Sequence, residues 1–276
     1  MKLSVIGLGL IGGSFALSIK KIYPSWQILG YDLNSSHQEE ALKLNIIDKI
    51  ANNFEEVKKS DIIILAIPVE AIIQTLQHLN DISKDTTIID LGSTKEKIIK
   101  STPHQIRKNL VAAHPMAGTE NTGPKAAFDS LYQDKVVVLC DFEDSGKLQQ
   151  NISKDIFKKL GMKIVYMKAD EHDLHAAYIS HLPHAISFAL ANSVLKQEDP
   201  KSILALAGGG FVGVSRIAKS SPVMWSDIFK QNQKNLLKTL DSFQKELDLM
   251  KKLIKEERWE ELKKWMNKAN SLHNII

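Results

Sequence analysis

The stretch Gly7-Leu8-Gly9-Leu10-Ile11-Gly12 follows a short apolar run and precedes a segment with helical periodicity. This G-x-G-x-x-G pattern is typical of the turn that joins strand to helix in a dinucleotide-binding βαβ unit. A second strand-like segment ends at Asp32, where a carboxylate accepts hydrogen bonds from ribose hydroxyls and repels a 2′-phosphate. Together these features predict NAD as the cofactor. The residues expected to contact it here are Gly7, Gly9, Leu10, Ile11, Gly12 and Asp32.

The first 168 residues alternate short β-branched runs with helical stretches. Several runs are continuously apolar, as expected for parallel strands that are covered on both faces. The candidate strands are Leu3–Ile6, Gln27–Tyr31, Ile62–Ala66, Thr87–Asp90, Leu110–Ala113, Lys135–Leu139 and Lys163–Met167. The candidate helices are Gly12–Lys21, Val69–Leu79 and Leu148–Leu160. This alternation predicts an α/β domain with a Rossmann-like, doubly wound parallel sheet over residues 1–168.

After Met167 the strand-like runs stop. The helical segments there are Asp170–Leu195, Pro200–Ala207, Pro222–Ile254 and Glu257–Ser271, interrupted by the glycines of 208–213. An apolar stripe runs along residues 228–253 at helical spacing, and it faces either the core or a partner. We therefore predict a second, all-α domain at residues 169–276.

The composition of the chain narrows the class of protein further. Its 276 residues are 43% hydrophobic and 25% charged, which is ordinary for a two-domain globular protein. The apolar runs are far shorter than the ~20 residues of a membrane span. The net charge of +4 comes from residues 230–276, where Lys and Glu are interspersed at helical spacing. This pattern is typical of a solvated helix and not of a nucleic-acid site. The single cysteine, Cys140, fits a reducing cytoplasm.

Three segments follow predicted parallel strands, at the edge where the substrate and the dinucleotide should meet. Pro68 is expected either to line the nicotinamide side or simply to pack. Ser93 has capping-box spacing to Glu96, so it caps a helix, faces the ligand, or does both. His114 directly follows an apolar strand, where an imidazole can take a proton from a substrate hydroxyl as hydride leaves the same carbon.

The helical half contributes two further candidates. His181 and His184 lie three residues apart, hence on one helix face beside a proline kink. Zinc is an alternative for this pair, but a third ligand of suitable spacing is missing, so we predict no metal. Arg216 follows the glycine-dense stretch 208–213 and stands out in a lysine-rich region, where its forked cation suits a carboxylate, unless it is an ordinary surface residue.

These pieces, in this order, resemble the prephenate/arogenate dehydrogenase family of tyrosine biosynthesis. The matching stretches run from residue 1 to about residue 255. They are Gly7–Ser14, Asp90–Lys95, His114-Pro115-Met116-Ala117-Gly118, Ser180–His184, Gly208–Phe211 with Arg216–Ala218, and Pro222–Trp225. The first motif is shared by many dehydrogenases. The loop that begins at His114, together with the later glycines 208–210 and Arg216, is specific to this family.

The resemblance implies an oxidative decarboxylation of prephenate to 4-hydroxyphenylpyruvate with NAD as oxidant. It implies that His114 accepts the hydroxyl proton, that Ser93 orients His114 and the hydroxyl, and that Arg216 holds a substrate carboxylate. The further substrate-binding residues it implies are His181, His184, Thr119, Glu120 and Gly209. The resemblance also implies that the helical domain, residues 169–276, binds substrate and forms a homodimer.

Some alternatives remain open at this point. Arogenate, or both substrates, could be used, because the two differ only in the side-chain keto or amino group. Another small-acid NAD dehydrogenase and a non-catalytic NAD-sensing dimer are the rival classes. Many relatives carry an acidic residue where this chain has Gly213, so Glu120 or Asp227 is expected to orient Arg216 instead.

Overall fold

The computed structural model describes residues 1–119 and 121–275 of the chain. By its internal contacts the chain divides into two compact units, Met1–Asn232 and Gln233–Ile276. The first unit contains the sheet, its covering helices and the helical segment up to Asn232. The second unit contains the last long helices. None of the helices in the described part of the chain is long and apolar enough to cross a bilayer.

An eight-stranded sheet forms the centre of the first unit. The strands are β1 (Lys2–Ile6), β2 (Gln27–Tyr31), β3 (Lys49–Ile50), β4 (Ile62–Leu65), β5 (Thr87–Asp90), β6 (Leu110–Pro115), β7 (Val136–Cys140) and β8 (Lys163–Met167). Their order in the sheet is β3-β2-β1-β4-β5-β6-β7-β8. All seven predicted strands are present, and the two-residue β3 at one edge is an addition.

The prediction of a wholly parallel sheet is wrong at one junction, because β6 and β7 pair antiparallel. Among the described residues, the connection between them contains only the short 3-10 turn Pro124–Ala126. A parallel pair needs a crossover long enough to return the chain to the other edge, usually a helix. Without such a helix the chain turns back, and β7 then pairs parallel with β8 across a helical crossover.

Six helices cover the sheet portion. They are α1 (Leu10–Ile22), α2 (Ser35–Lys43), α3 (Phe54–Lys58), α4 (Val69–His78), α5 (Glu96–Ser101) and α6 (Lys147–Lys159). The three predicted helices correspond to α1, α4 and α6. The short α2, α3 and α5 carry few apolar residues and were not predicted.

The apolar runs of the strands are buried on both faces of the sheet. In β4, Ile62 and Ile64 belong to one hydrophobic cluster, whereas Ile63 and Leu65 belong to the other. Successive side chains of a strand point to opposite faces, so a strand between two helical layers must be apolar throughout. This packing fixes the height at which each strand ends, and therefore the positions of the loops that follow.

The rest of the first unit is helical. Its elements are α7 (Ala169–Ala176), a π-helical turn (Ala177–His181), α8 (Leu182–Leu195), α9 (Pro200–Ala205), α10 (Gly209–Ser215) and α11 (Pro222–Gln231). The predicted helix Asp170–Leu195 is continuous, with the π-helical turn just before Pro183. Two expectations were wrong: Gly209 and Gly210 begin a helix, and the predicted helix Pro222–Ile254 breaks at Asn232.

The second unit pairs α12 (Gln233–Lys255) with α13 (Trp259–Asn270). Between them Glu257 takes a left-handed conformation with φ of 54°. Leu253 and Leu262 are buried, and Trp265 donates a hydrogen bond to Glu246. These contacts make the unit a helical hairpin.

Candidate active site

A cavity of about 770 Å³ opens at the carboxyl edge of the sheet, within the first unit. The loops after β1, β4, β5 and β6 line it together with the π-helical turn, the first turn of α8, residues 216–221 and α11. Most residues predicted from the sequence line it. They are Gly9, Leu10, Ile11, Pro68, Ser93, His114, Thr119, His181, His184 and Arg216.

Four predicted residues are not among those lining the cavity. Gly7 and Gly12 lie beneath the turn that borders it, and Asp32 follows β2. Gly209 is exposed at the start of α10. Glu120 lies outside the described residues, so its predicted roles stay predictions.

The glycine turn fits a dinucleotide pyrophosphate. Gly7 has a φ of 92°, and a Cβ there would lie 2.3 Å from the Ala66 carbonyl oxygen. A Cβ on Gly12 would lie 1.9 Å from the Gly7 carbonyl oxygen, so α1 could not begin so close to β1. Gly9 caps α1 without a side-chain hydrogen bond, and the space beside its Cα is open. The first N–H groups of α1 are therefore available to an anion.

Asp32 is held rigidly beside this turn. One carboxylate oxygen accepts from Leu8 N at 2.8 Å, and the other accepts from Asn34 N at 2.9 Å. Each oxygen keeps a second lone pair for a ribose hydroxyl. The arrangement suits NAD, because a fixed carboxylate repels a 2′-phosphate.

His114 ends a chain of three hydrogen-bonded side chains. Its Nδ1 lies 2.8 Å from His172 Nε2, and His172 Nδ1 lies 2.8 Å from Asp173 Oδ1. An ionised carboxylate only accepts, so His172 carries its proton on Nδ1 and accepts at Nε2. His114 must then donate from Nδ1, which leaves a lone pair on Nε2. His172 and Asp173 are 3% and 2% exposed, so water does not compete for these bonds.

Burial holds the pKa of His114 well below its usual value, and His172, Lys95 and His181 lower it further. Desolvation disfavours the charged imidazolium, and nearby positive charge acts in the same direction. His114 is consequently neutral at physiological pH. A neutral imidazole with a free lone pair beside the cavity can accept a proton from a substrate.

Ser93 lines the cavity but does not cap α5, so the capping-box alternative is wrong. The N-cap residue is Lys95, and the Asp173 carboxylate accepts from Lys95 N at 2.8 Å and Glu96 N at 3.0 Å. Within the described part of the chain, His114 Nδ1 is bonded to His172 and not to Ser93. Any orienting action of Ser93 would therefore be exerted at the other side of the imidazole or on the substrate.

His181 and His184 are held in opposite tautomers. Asn232 Nδ2 donates to the Asp173 carbonyl at 2.6 Å, which fixes it as the donor toward His181 Nδ1 at 3.1 Å. His181 then carries its proton on Nε2. His184 Nδ1 donates to the Ser180 carbonyl at 2.9 Å, which leaves its Nε2 unprotonated in the neutral form.

Burial lowers the pKa of both histidines. That of His181 falls to about 4, with partial opposition from Asp173. Burial also lowers the pKa of His184. The hydrogen bond to Ser180 opposes this decrease, and the positive charge of Arg216 adds to it. His184 stacks on Trp225 with ring centroids 3.6 Å apart, so its ring plane is fixed. Among the described residues, His, Cys, Asp and Glu side chains form no group of three that could hold a metal.

The carboxylate of Asp227, one of the two candidates to orient Arg216, is engaged elsewhere. It accepts from Gln231 Nε2 at 3.0 Å and lies 3.4 Å from Glu70 N. Arg216 itself lines the cavity. The lining of the cavity therefore includes both a base and a cation.

Sequence reasoning did not find His172 and Asp173, and it assigned Trp225 no role. His172 and Asp173 lie in the first half of α7, next to Asp170 and Glu171 of its first turn, where acidic residues are common. Only their partners, which are 58 and 78 residues away in sequence, reveal what they do. The Trp225 motif was noted only as part of the family resemblance.

Comparison with known proteins identifies the family. A family model described as prephenate dehydrogenase, nucleotide-binding domain, matches residues 15–166, and one described as its dimerization domain matches residues 168–268. Prephenate dehydrogenase of Bacillus subtilis is 34% identical over 95% of this chain and 72% of its own length. The chain belongs to the prephenate dehydrogenase family.

Solved structures of the family agree in fold. Prephenate dehydrogenase from A. aeolicus, crystallised with hydroxyphenyl propionate and NAD+, matches with a TM-score of 0.92 and 33% identity, over 99% of this chain and 97% of that chain. Synechocystis arogenate dehydrogenase matches with a TM-score of 0.82 and 28% identity, over 99% of each chain. The predicted family, the Rossmann-like fold with a helical continuation and the oxidoreductase class are confirmed.

Proposed function

We propose that this chain catalyses the NAD-dependent oxidative decarboxylation of prephenate to 4-hydroxyphenylpyruvate. The observation that carries the proposal is the unprotonated Nε2 of His114, held at the cavity by His172 and Asp173. Prephenate dehydrogenases of B. subtilis and A. aeolicus are the relatives that support this substrate. The glycine turn and Asp32 support NAD as the cofactor.

In this mechanism His114 Nε2 accepts the proton of the ring hydroxyl. The glycine turn and Asp32 would hold NAD, which would supply a hydride acceptor for the carbon that bears this hydroxyl. The ring carboxylate then leaves as carbon dioxide, and the electron pair of the broken C–C bond makes the ring aromatic. The new phenolate oxygen recovers its proton from His114. Proton transfer to a positioned base contributes about 10²–10⁴-fold to such a step.

The substrate is a dianion, and the lining of the cavity is suited to one. Arg216 can hold a carboxylate through two parallel N–H donors. His181 offers an Nε2–H donor without adding charge, because its pKa is about 4. Pro68, Ser93 and Thr119 also line the cavity, and we assign Pro68 and Ser93 to the nicotinamide side and Thr119 to the substrate. We assign Glu120 and Gly209 to substrate binding only on the strength of the family resemblance.

Arogenate is the second candidate substrate. The cyclohexadienyl dehydrogenase of Zymomonas mobilis, 33% identical over 91% of this chain and 88% of its own length, supports use of either compound. A non-catalytic NAD-sensing protein would have no need of the His114–His172–Asp173 chain. Another small-acid dehydrogenase would also use a base and a cation, but the match to both prephenate dehydrogenase domain models argues against this class.

We also propose that the helical part, residues 169–276, forms a homodimer in the cytoplasm. The match to a dimerization domain over residues 168–268 supports the dimer. Large apolar side chains remain exposed in this part, among them Leu195, Leu206 and Val223. The mass of the purified protein in solution tests the proposal, and a monomer would contradict it.

The test of function is NADH formation by the purified protein with prephenate and, separately, with arogenate. We expect turnover with prephenate, and turnover with neither compound would overturn the proposal. His114→Asn should decrease kcat by about 10²–10⁴-fold while NAD still binds. His175→Asn, a substitution of an exposed histidine on α7, is the matched control. Full activity of His114→Asn would remove His114 from the mechanism.

A further inference from the structure

A buried ion pair lies directly behind the base. The side chain of Lys95 is 0% exposed, and its Nζ lies 2.6 Å from Asp90 Oδ2 and 2.8 Å from the Ala113 carbonyl oxygen. The other Asp90 oxygen accepts from Gly92 N at 2.7 Å. The ion pair thus connects the ends of two neighbouring strands, β5 and β6.

Stability alone gives a weak reason for such a pair. Removing two charges from water costs several kcal/mol per ion, and apolar side chains of similar volume often serve as well. The surrounding core is apolar and could accept them, since Ile98 and Ile72 lie against the same loop. The position of the pair relative to His114 suggests a different purpose.

The Ala113 carbonyl belongs to the peptide that leads into His114. Pairing between β5 and β6 ends at Asp90 and Ala112, so this carbonyl lies one residue beyond the last paired position. Lys95 Nζ supplies the donor there. Because a peptide is planar, holding this carbonyl also fixes the direction in which the His114 side chain leaves the strand.

The Lys95 ammonium also affects the protonation of His114. The titratable groups near the base come from α7, the π-helical turn, the end of β5 and the loop after it, and they are His172, Asp173, His181, Asp90 and Lys95. His181 is neutral at physiological pH, because burial lowers its pKa to about 4. The Lys95 ammonium, like His172, lowers the pKa of His114, since a nearby cation disfavours a second positive charge on the base.

We propose that Lys95 is a positioning residue for the reaction: it fixes the end of β6 and keeps His114 unprotonated, so that the base works at lower pH. The inference rests on the proposed function of His114. It assigns to Lys95 and Asp90 a purpose beyond packing.

Two substitutions separate the two actions. Lys95→Gln keeps a neutral N–H donor, whereas Lys95→Met removes both donor and charge. Burial already raises the pKa of Asp90 above its ordinary value, so without the ammonium Asp90 takes up a proton and stays neutral. In both variants we expect the acid limb of the kcat/KM profile to move up by about one pH unit. In Lys95→Met alone kcat should also fall several-fold. Lys100→Met, at an exposed lysine on α5, is the control.

The same shift should appear in the titration of the His114 ring, followed by NMR on protein with labelled histidine. This measurement needs no substrate, so a protein inactive toward prephenate would overturn the proposed function and leave the test of Lys95 intact. Asp90→Asn/Lys95→Met, which removes both charges together, provides a neutral pair if the single variants do not fold. An unchanged His114 pKa and acid limb in the folded variants would overturn the inference.

Discussion

Asp173→Asn tests the hydrogen-bonded chain behind His114 at its far end. Asp173 Oδ1 accepts from both Lys95 N and His172 Nδ1, and Oδ2 accepts from Glu96 N. An asparagine can keep the first two bonds with its single oxygen, so the His172 tautomer survives. What it loses is the negative charge and one hydrogen bond at the start of α5.

The expected decrease in kcat follows from the distance between the Asp173 carboxylate and His114. The carboxylate and His114 are separated by two hydrogen bonds of 2.8 Å and one imidazole ring. At ~8 Å and an effective dielectric constant of about 20, a unit charge stabilises a proton on His114 by about 2 kcal/mol. If the transition state carries that proton, kcat falls about 30-fold. The lost cap bond lowers the free energy of unfolding by about 1 kcal/mol.

The assay is the initial rate of NADH formation as a function of pH, with urea unfolding of the same preparation. Loss of a negative charge should move the acid limb to lower pH, opposite in sign to the shift expected for Lys95→Met. The KM for NAD should not change, since the glycine turn is untouched. Asp170→Asn, at an exposed carboxylate on the same helix, is the control. A kcat for folded Asp173→Asn equal to that of the control would refute the reasoning.

Three further predictions concern the cofactor, the substrate and pH. Asp32→Ala should raise the KM for NAD and relax discrimination against NADP; a native preference for NADP would contradict this role. Arg216→Ala should raise the KM for prephenate about 10- to 100-fold with a smaller effect on kcat, because a charge-assisted contact is lost; an unchanged KM would exclude carboxylate binding. His181 has a pKa of about 4 in the folded protein against 6.5 ordinarily, so the unfolded chain takes up its proton first. The free energy of unfolding should therefore fall by about 3 kcal/mol as pH decreases from 6.5 to 4, and His181→Gln should lose that much less, as measured by urea midpoints.

The sequence predicted the parts of the fold that depend on local pattern. The glycine turn, the apolar strands and the longer helices each satisfy a rule that operates within a few residues. The reversal at β7 was missed because it depends on the absence of a crossover helix over a long connection. The break at Asn232 was missed because the apolar stripe continues on both sides of it.

In the candidate site, too, the sequence predicted the features that depend on local pattern and missed those that depend on distant parts of the chain. His114, His181 and Arg216 were found because each is an unusual residue at a position where a loop or a kink was already expected. His172 and Asp173 occupy an ordinary helix start, and their importance depends on the strands that the fold places against them. Lys95 reads in the sequence as one lysine among many, and only its complete burial distinguishes it.

The π-helical turn Ala177–His181 has a consequence for how this site tolerates change in chain length. Pro183 has no N–H to bond the carbonyl of Ile179, and the wider turn before it absorbs the mismatch. Deleting one residue from the turn would favour a regular α-helix and rotate everything after it by about 100°. His184 would then leave the face of Trp225, whereas His172, which precedes the turn, would keep its place. The two halves of this helix are thus set independently, one holding His172 against His114 and the other holding His184 on Trp225, and a single residue determines the angle between them.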